Sequence, residues 1–505
     1  MKRFHFVIYV FLLFIISSCQ NEKPINIDNR LELFVDNFLI DKISGNAELR
    51  LHKPVRREIV LKGDKPWEGN SCNYFTIFKD GDIYRMYYKG GENKFKGEGK
   101  SHEYVTCYAE SKDGIHWIKP HLNLFEFNGS KKNNIIWKEK VHNFTPFKDT
   151  NPLCLKGEKY KALATVNRGE DGDVLMAFKS ADGIHWSYIS DKPVLGKKVG
   201  EFDTQNVAFW DSLSNEYRIY FRKYRPLKGN ENIYAGIRDI KTAVSKDFLN
   251  WSKPVFLKYP GVPQEQLYTN QIMPYFRAPH IILGFPTRYI DRGWSYSMEQ
   301  LPMLEHRKLR SEANPRLGTA LTDGLFMSSR DGVVFHRWPE AFIRPGLSKY
   351  NWVYGDNFQN LGLIITKAYI DGAPDEISFF AVEDNWTTDV SKLRRFTIRM
   401  DGFVSVYAPL TEGEFITKPI IFSGNKLIVN FSTSVAGNMK FEFQDANGKV
   451  IPGYSMDDCE DIFGDSIERV IKWKDGTDVS KLAGKTVRLK VSLKDADLYS
   501  MKFSK

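Results

Sequence analysis

The sequence predicts an all-β protein: a five-bladed β-propeller over residues 31–408, followed by a β-sandwich over residues 409–505. Three observations predict it. A short phrase recurs four times, as Ser111-Lys-Asp-Gly-Ile-His-Trp117, Ser180-Ala-Asp-Gly-Ile-His-Trp186, Ser245-Lys-Asp-Phe-Leu-Asn-Trp251 and Ser329-Arg-Asp-Gly-Val-Val-Phe335, at spacings of 69, 65 and 84 residues. Those intervals are too long for a helical solenoid unit and suit a four-stranded sheet with generous loops. The phrase closes four β-rich stretches in a row, and a fifth stretch keeps the strands without it. Beyond Pro409 the texture changes to short strands of strict period two.

Within each copy, Asp-Gly is turn chemistry, because glycine accepts the positive φ that a tight hairpin needs. The aromatic three residues after the glycine falls on the returning strand, where it packs against the neighbouring sheet. Asp113, Asp182, Asp247 and Asp331 are therefore structural turn residues on the outer part of each blade. The first blade reads as Asn73–Phe78, Ile83–Tyr88 and Tyr104–Tyr108, and the second as Asn151–Leu155, Tyr160–Ala164 and Val174–Phe178. The third reads as Val207–Trp210, Tyr217–Phe221 and Lys241–Val244. The fourth has Ile272–Tyr275 and Ile281–Phe285, an excursion from Tyr289 to Arg316, then Leu325–Met327. Leu361–Ile365, Ile377–Ala381 and Leu393–Arg399 make the fifth. A ring needs its first and last blades joined, and the early strands Leu31–Val35 and Glu58–Leu61 are available to complete the last one. In the final region Lys426–Phe431, Met439–Phe443, Arg469–Trp473, Val487–Val491 and Leu498–Phe503 alternate apolar and polar residues, which suggests a sandwich. It serves either as a carbohydrate-binding module or as a packing partner for the propeller. The second is expected, since no exposed aromatic cluster stands out.

At 505 residues the chain is too long for one ordinary core, which agrees with two folded regions. Lys2 and Arg3 precede the apolar run Phe4–Ile16, and Ile16-Ser17-Ser18-Cys19 follows. Residues 1–18 thus resemble a bacterial lipoprotein leader, which implies cleavage before Cys19 and lipidation of its thiol. Residues 19–30 then form a polar tether, and the expected location is the cell envelope, with membrane contact through the lipid alone. No other apolar run is long enough to span a bilayer. Cys72, Cys107, Cys154 and Cys459 show no metal-ligand spacing and are read as core residues. The net charge is +10, or +8 without Lys2 and Arg3, with no run of Lys and Arg behind it. Nucleic acid is therefore not an expected partner. An anionic glycan is compatible with this charge, and so is a merely basic surface.

In a propeller the innermost strands surround the axis, and residues just ahead of them converge on one funnel. A carboxylate ahead of the inner strand in successive blades is a candidate for chemistry. Three stand in a row: Glu68 in Trp67-Glu-Gly-Asn70, Asp149 ahead of Thr150-Asn-Pro152, and Asp203 in Glu201-Phe-Asp-Thr-Gln-Asn206. Each alone has a plainer reading as a turn acid or a loop ion pair. At equivalent blade positions all three are harder to dismiss than any one, and carboxylates gathered in one funnel can raise one another's pKa and so supply both an acid and a base. Trp67 and Trp352 are candidate stacking platforms. Asn70, His142, Asn206, Asn270, Arg288 and Asp323 are candidates for binding sugar hydroxyls, each with a structural alternative. Arg288 could also hold a carboxylate or sulfate bidentately.

With its Ser-x-Asp-Gly-x-x-Trp hairpins and one acid per early blade, the stretch 60–405 resembles the five-bladed propeller glycoside hydrolases of families 43 and 32. Residues 410–505 resemble the sandwich that family 32 enzymes append. In those families the first three blades supply a base or nucleophile, an orienting Asp and a general acid. By position the resemblance gives these roles to Glu68, Asp149 and Asp203, with the first and third residue types exchanged relative to the family. Glu201, two residues from Asp203, is the alternative acid. The resemblance implies an enzyme acting on an oligo- or polysaccharide and leaves room for a structural Ca²⁺; a monomer without a cofactor is expected, and no metal-ligand set is visible. Two other readings are a glycoside phosphorylase of the related propeller type, with one acid and basic residues for phosphate, and a non-catalytic glycan-binding lipoprotein.

Overall fold

The computed structural model describes residues 23–94, 102–138, 141–169, 172–227, 229, 235–387 and 389–504. The leader and Cys19 lie outside the described residues. Five antiparallel four-stranded sheets form the ring. The first blade is Asn73–Asp80, Ile83–Gly90, Val105–Ser111 and Ile135–Trp137. The second is Val141–Lys148, Tyr160–Asn167, Asp173–Ser180 and Ser187–Tyr188, and the third is Val207–Asp211, Glu216–Arg225, Ile237–Ser245 and Val255–Phe256. Ile272–Tyr275, Ala278–Gly284, Met327–Ser329 and Phe335–Arg337 make the fourth. The fifth consists of Ile364–Thr366, Glu376–Glu383, Lys392–Ile398 and, from the N-terminal side, Val55–Lys62. That last strand pairs antiparallel with Lys392–Ile398, so Glu58–Leu61 closes the ring as the sequence suggests.

The first strand of each sheet lines the axis. The ring is sealed there as well, because Ile77 N donates to Leu361 O at 2.8 Å and Leu361 N donates to Phe75 O at 3.0 Å. The axis itself is filled by three buried glutamines. Gln205 Nε2 donates to Thr76 Oγ1 (2.7 Å), and Gln271 Nε2 donates to Gln205 Oε1 (2.6 Å) and Gln359 O (2.9 Å). Gln359 Nε2 in turn reaches Leu325 O at 2.8 Å. These amides join all but the second blade across the axis and form a floor beneath the starts of the inner strands.

The repeated phrase does what its chemistry implies. Asp182 Oδ1 accepts from the N–H groups of Ile184 and His185, both at 2.8 Å, and Ser180 Oγ accepts from Gly183 N at 2.8 Å. Each hairpin also docks on the preceding blade. Tyr87 of the first blade donates to Gly183 O at 3.0 Å, and Tyr220 of the third donates to Gly332 O at 2.9 Å.

Three expectations are corrected. Leu31–Val35 does not complete the fifth blade; Glu32–Leu33 pairs with Val487–Ser504 in the C-terminal sheet. The supposed tether is ordered at its end, since Ile25–Asp28 runs parallel to Ile420–Phe422. The second inner strand is Val141–Lys148, not Asn151–Leu155, which is turn and irregular chain. An inner strand is a sheet edge, and an edge tolerates Pro146 facing away from its partner. The sandwich therefore takes strands from both chain ends: Ile25–Asp28, Glu32–Leu33, Ile40–Gly45 and Glu48–Leu51 join those from Val404 onward. Its core gathers Phe34, Phe415, Phe422, Phe443, Trp473 and Phe503.

Candidate active site

Asp203 lies in the irregular segment ahead of the third inner strand. Its neighbours Phe202 and Thr204 are buried, Thr204 Oγ1 donates to Tyr268 O at 3.2 Å, and Asp203 is left exposed to solvent in the funnel. Enough protein surrounds it that desolvation pushes its pKa up. Arg222, His142 and Lys89 outweigh that push with their charges, and the net shift is below the ordinary carboxylate value of 3.8. The Asn143 side chain is near enough to lower it further, without meeting full hydrogen-bond geometry. Asp203 is thus a carboxylate at neutral pH.

Arg222 faces it from the second strand of the same blade. Along Glu216–Arg225 the side chains alternate, so Tyr220 and Arg222 look toward the fourth blade while Phe221 packs toward the second. Arg222 is 6% exposed, and its Nε and Nη1 have no hydrogen-bond partner among the described residues. Its Cζ stands 4.8 Å from the centroid of the Tyr268 ring. A buried arginine with open donors is costly unless something completes it.

Around this pair stands a wall of tyrosines. The rings of Tyr268, Tyr289 and Tyr354 form a near-equilateral triangle, with centroids 6.1, 6.0 and 5.9 Å apart, and the Tyr354 hydroxyl donates to that of Tyr268 at 2.8 Å. Arg238 lies 4.4 Å from the Tyr289 centroid and Arg316 lies 5.3 Å from that of Tyr354. On the opposite side Lys89 Nζ is 5.2 Å from the Tyr74 centroid and 4.4 Å from that of Tyr104. The backbone is left-handed at Tyr74 (φ 57°), Asn143 (58°) and Gln271 (46°), all at or beside the starts of inner strands. Non-glycine residues held there are uncommon and gather at functional sites.

The other two predicted acids are elsewhere. Glu68 is fully buried and both its oxygens are in use. Oε1 accepts from Tyr88 Oη at 2.6 Å, and Oε2 accepts from Lys119 Nζ at 2.6 Å and Lys65 N at 3.1 Å. Burial raises its pKa against the pull of Lys119, which would suit a general acid, but no substrate can reach it. Asp149 follows the last residue of the second inner strand, at the end away from His142. About 3.3 Å per residue puts roughly 20 Å between those ends. Its carboxylate is closed by Lys161 Nζ (2.5 Å), Tyr217 Oη (2.6 Å) and Asn151 N (2.9 Å). The alternative acid Glu201 pairs with Lys223 at 3.1 Å. It shares no strand face with Asp203, because residues 200–206 are not a strand. The structure brings none of these to Asp203, so the three-acid set is replaced by a single acid.

Of the predicted binding residues, His142 joins the funnel, where its charge acts on Asp203. Trp67 is committed to packing and to Asn134, its Nε1 donating to Oδ1 at 2.7 Å. Asn70 bonds Asn93 O at 3.0 Å and Thr387 O at 3.3 Å. Asn206 and Asn270 are buried: Asn206 holds the carbonyls of Phe202 and Thr204 ahead of its own strand, and Asn270 holds those of Gln205 and Tyr220 in the third blade. Arg288 and Asp323 form a bidentate pair (2.9 and 2.6 Å) on the far face of the hairpin that carries Tyr289. With Trp352 they line a separate cavity of about 540 Å³.

Sequence reasoning missed Arg222, Arg238, Arg316, Lys89 and the tyrosines. The one signal available was Tyr-x-Arg-x-Tyr at Tyr220–Tyr224, which at strand period puts three polar-tipped side chains on one face. Among the described residues no group of three or more His, Cys, Asp and Glu could hold a metal. Cys72, Cys107 and Cys459 are buried and unpaired, while Cys154 is partly exposed beside Lys161.

No family model matches the chain. Two curated relatives, both uncharacterized proteins of Mycobacterium tuberculosis, are 29% identical over 152 residues, covering 30% of this chain and 42% of the relative. The match thus spans less than half of their length. Solved structures with a likeness include a family 43 arabinoxylan arabinofuranohydrolase from Bacillus subtilis (9% identical, 90% of this chain, 99% of that one, TM-score 0.40). A fructofuranosidase from Schwanniomyces occidentalis is another (12% identical, 91% and 99% covered, TM-score 0.39). An N-acetylgalactosamine deacetylase from F. plautii is a third (11% identical, 69% and 94% covered, TM-score 0.42). At such scores these likenesses carry no chemistry across to this chain.

Proposed function

We propose that this protein binds a glycan in the central funnel and cleaves a glycosidic bond there, with Asp203 as the reacting carboxylate. The observation that carries the reading is Asp203 itself: ionised, reachable from solvent, and set among open cationic donors and aromatic rings. Tyrosine rings offer the flat apolar faces on which sugars stack, and their hydroxyls reach sugar oxygens. A carboxylate held ionised suits attack on the anomeric carbon or activation of a water, not proton donation. The proton for the leaving oxygen then comes from another group, and His142 is placed for it. The test is release of reducing sugar from a panel of glycans, with Asp203→Asn abolishing it. Release undiminished in Asp203→Asn overturns the assignment. Glycan binding without release by the unaltered protein leaves a binding lipoprotein instead.

A second reading is phosphorolysis, favoured by one specific observation, the pairing of a single acid with several cations. Inorganic phosphate would then replace water as the nucleophile, and product would appear as sugar phosphate only when phosphate is supplied. In either case we propose a cell-envelope location with Cys19 as the lipid anchor, a reading supported by the lipoprotein-like leader. Fatty-acid labelling that persists in Cys19→Ser would contradict that placement.

A further inference from the structure

Several arginines of this protein are closed by carboxylates, whereas those of the funnel, like Arg307 and Arg310 on the helical excursion, are not closed by one among the described residues. Arg288 is paired with Asp323 and Glu265, Arg330 with Glu32 and Asp36, and Arg395 with Glu58. Arg222, Arg238 and Arg316 make no ion pair among the described residues, and each has at least one buried nitrogen without a hydrogen-bond partner there. Arg238 otherwise spends Nη1 on the neutral side chain of Gln266, at 2.5 Å. All three converge on the same tyrosine triangle, with Cζ atoms 4.8, 4.4 and 5.3 Å from the centroids of Tyr268, Tyr289 and Tyr354.

Three positive charges held together repel one another, and desolvation adds to that cost. Asp203 opposes the charge of Arg222, and it does so from a distance, without a direct bond. A neutral sugar would leave the charge excess where it is. An oxyanion would remove it and fill the open donors with charge-assisted hydrogen bonds, for which guanidinium geometry is well matched.

We propose that Arg222, Arg238 and Arg316 recognise an oxyanion, carboxylate or sulfate, borne by the sugar that occupies the funnel. This rests on the glycan reading of the Asp203 site and names its substrate class as acidic sugars. The donors lie on the Tyr268 side of Asp203, so the acidic group sits over the tyrosine triangle while Asp203 faces the scissile end. The excursion between Asp291 and Ala320 takes part by carrying Arg316 to Tyr354.

The experiment is calorimetric binding to the full chain and to its Asp203→Asn form. The probes are glucuronate, galacturonate, glucose 6-sulfate, the neutral sugars glucose and galactose, and inorganic phosphate. An acidic sugar should bind at least about tenfold tighter than its neutral counterpart, with affinity falling as salt rises. Preference for uronate or for the sulfated sugar identifies which oxyanion is meant. Arg222→Gln should erase the margin and Arg222→Lys should keep part of it. Should Arg222→Gln fail to fold by far-ultraviolet dichroism, Arg316→Gln takes its place, since Arg316 is half-buried at the edge of the site. Neutral sugars binding as tightly as acidic ones would overturn the proposal, as would an unchanged margin in the variants. Phosphate binding as tightly as either acidic sugar would overturn it too, by assigning the cations to a free anion. Binding needs no turnover, so an active Asp203→Asn would remove the catalytic reading and leave this comparison intact.

Discussion

Asp203 and Arg222 act on each other through their charges across the funnel floor, yet neither is closed by a direct ion pair. The contrast with Glu68 and Lys119, locked at 2.6 Å and out of reach of solvent, separates a site from a strut. An acid and a base that satisfy each other have nothing left for a ligand. Asp203 and Arg222 both keep capacity in reserve.

Replacing Asp203 by Asn should reduce turnover by about 10³-fold or more, the range expected when a reacting carboxylate is lost. Thermal stability should stay within about 1 kcal/mol, because the side chain makes no closed pair that its loss would break. Steady-state kinetics and a melting curve on the same preparation check both halves.

The acidic limb of the kcat/KM profile should lie below pH 3.8, the unperturbed value for Asp, because Asp203 is shifted downward. The sign is fixed by the role: the ionised form reacts, and it is lost only as pH falls through the lowered pKa. An acidic limb near pH 6 that vanishes in Asp203→Asn would contradict this.

Asp149→Ala should act on stability and not on chemistry. It leaves the buried ammonium of Lys161 with only the longer ion contact to Glu158 at 3.5 Å among the described residues, a loss of up to roughly 3–5 kcal/mol for breaking a buried pair. Turnover per folded molecule should change by less than about tenfold. Glu68→Gln should also act on stability and not on chemistry, but by less, because Lys119 keeps Asp64 at 3.0 Å. Denaturant titration read beside activity distinguishes these outcomes from catalytic ones.

The hairpin phrase made the ring legible, because Asp-Gly turn chemistry is local and shows at fixed spacing. The funnel was only partly legible. Asp203 and His142 were found from their place ahead of or at the start of inner strands. Asp149 follows an inner strand and does not precede one, because Pro146 disguises Val141–Lys148 as irregular chain while Asn151–Leu155 reads as more strand-like than it is. Arg222 sits mid-strand in the second strand of its blade, and Arg316 arrives on a helical excursion. Arg222 is marked only by the Tyr-x-Arg-x-Tyr alternation around it and Arg316 by no local pattern, since their convergence is made by the ring alone.

The contact between sandwich and propeller should loosen in acid. Glu32, fully buried on a sandwich strand, accepts from Arg330 Nη1 at 2.7 Å, and His280 Nε2 lies 3.1 Å away. Burial raises its pKa, but those partners overcome that and lower it from 4.5 to about 2. The stabilisation is therefore complete above pH 4.5 and fades as pH falls toward about 2. Arg330→Ala should lower stability at neutral pH by roughly 1–3 kcal/mol, because buried Glu32 keeps only Arg30 Nε at 2.6 Å and His280 as partners among the described residues, and should weaken the acid dependence. Unfolding followed across that pH range in both proteins is the measurement.

Gly183→Ala should cost about 1–3 kcal/mol, the range for a strained left-handed residue. Its φ is +80°, and an added Cβ would stand 2.7 Å from the Tyr87 hydroxyl that braces the hairpin. Gly81→Ala, at φ +62° with nothing within 4 Å, carries the backbone strain without the clash and should cost less. Equal losses in the two melting curves would mean the blade contact contributes nothing.

The strand Glu48–Leu51 leaves the sandwich for the ring, and Val404–Ala408 brings the chain back. These two are direct partners, with Leu51 opposite Val404 and His52 N donating to Phe403 O at 2.9 Å. Outgoing and returning chain thus pass through one doorway, side by side and hydrogen-bonded. The propeller is a guest domain grown out of a single point in a sandwich host, not the first of two beads on a string. A cut between residues 408 and 409 would split the host and free neither part, whereas excising the stretch between His52 and Phe403 would leave ends already close enough to rejoin.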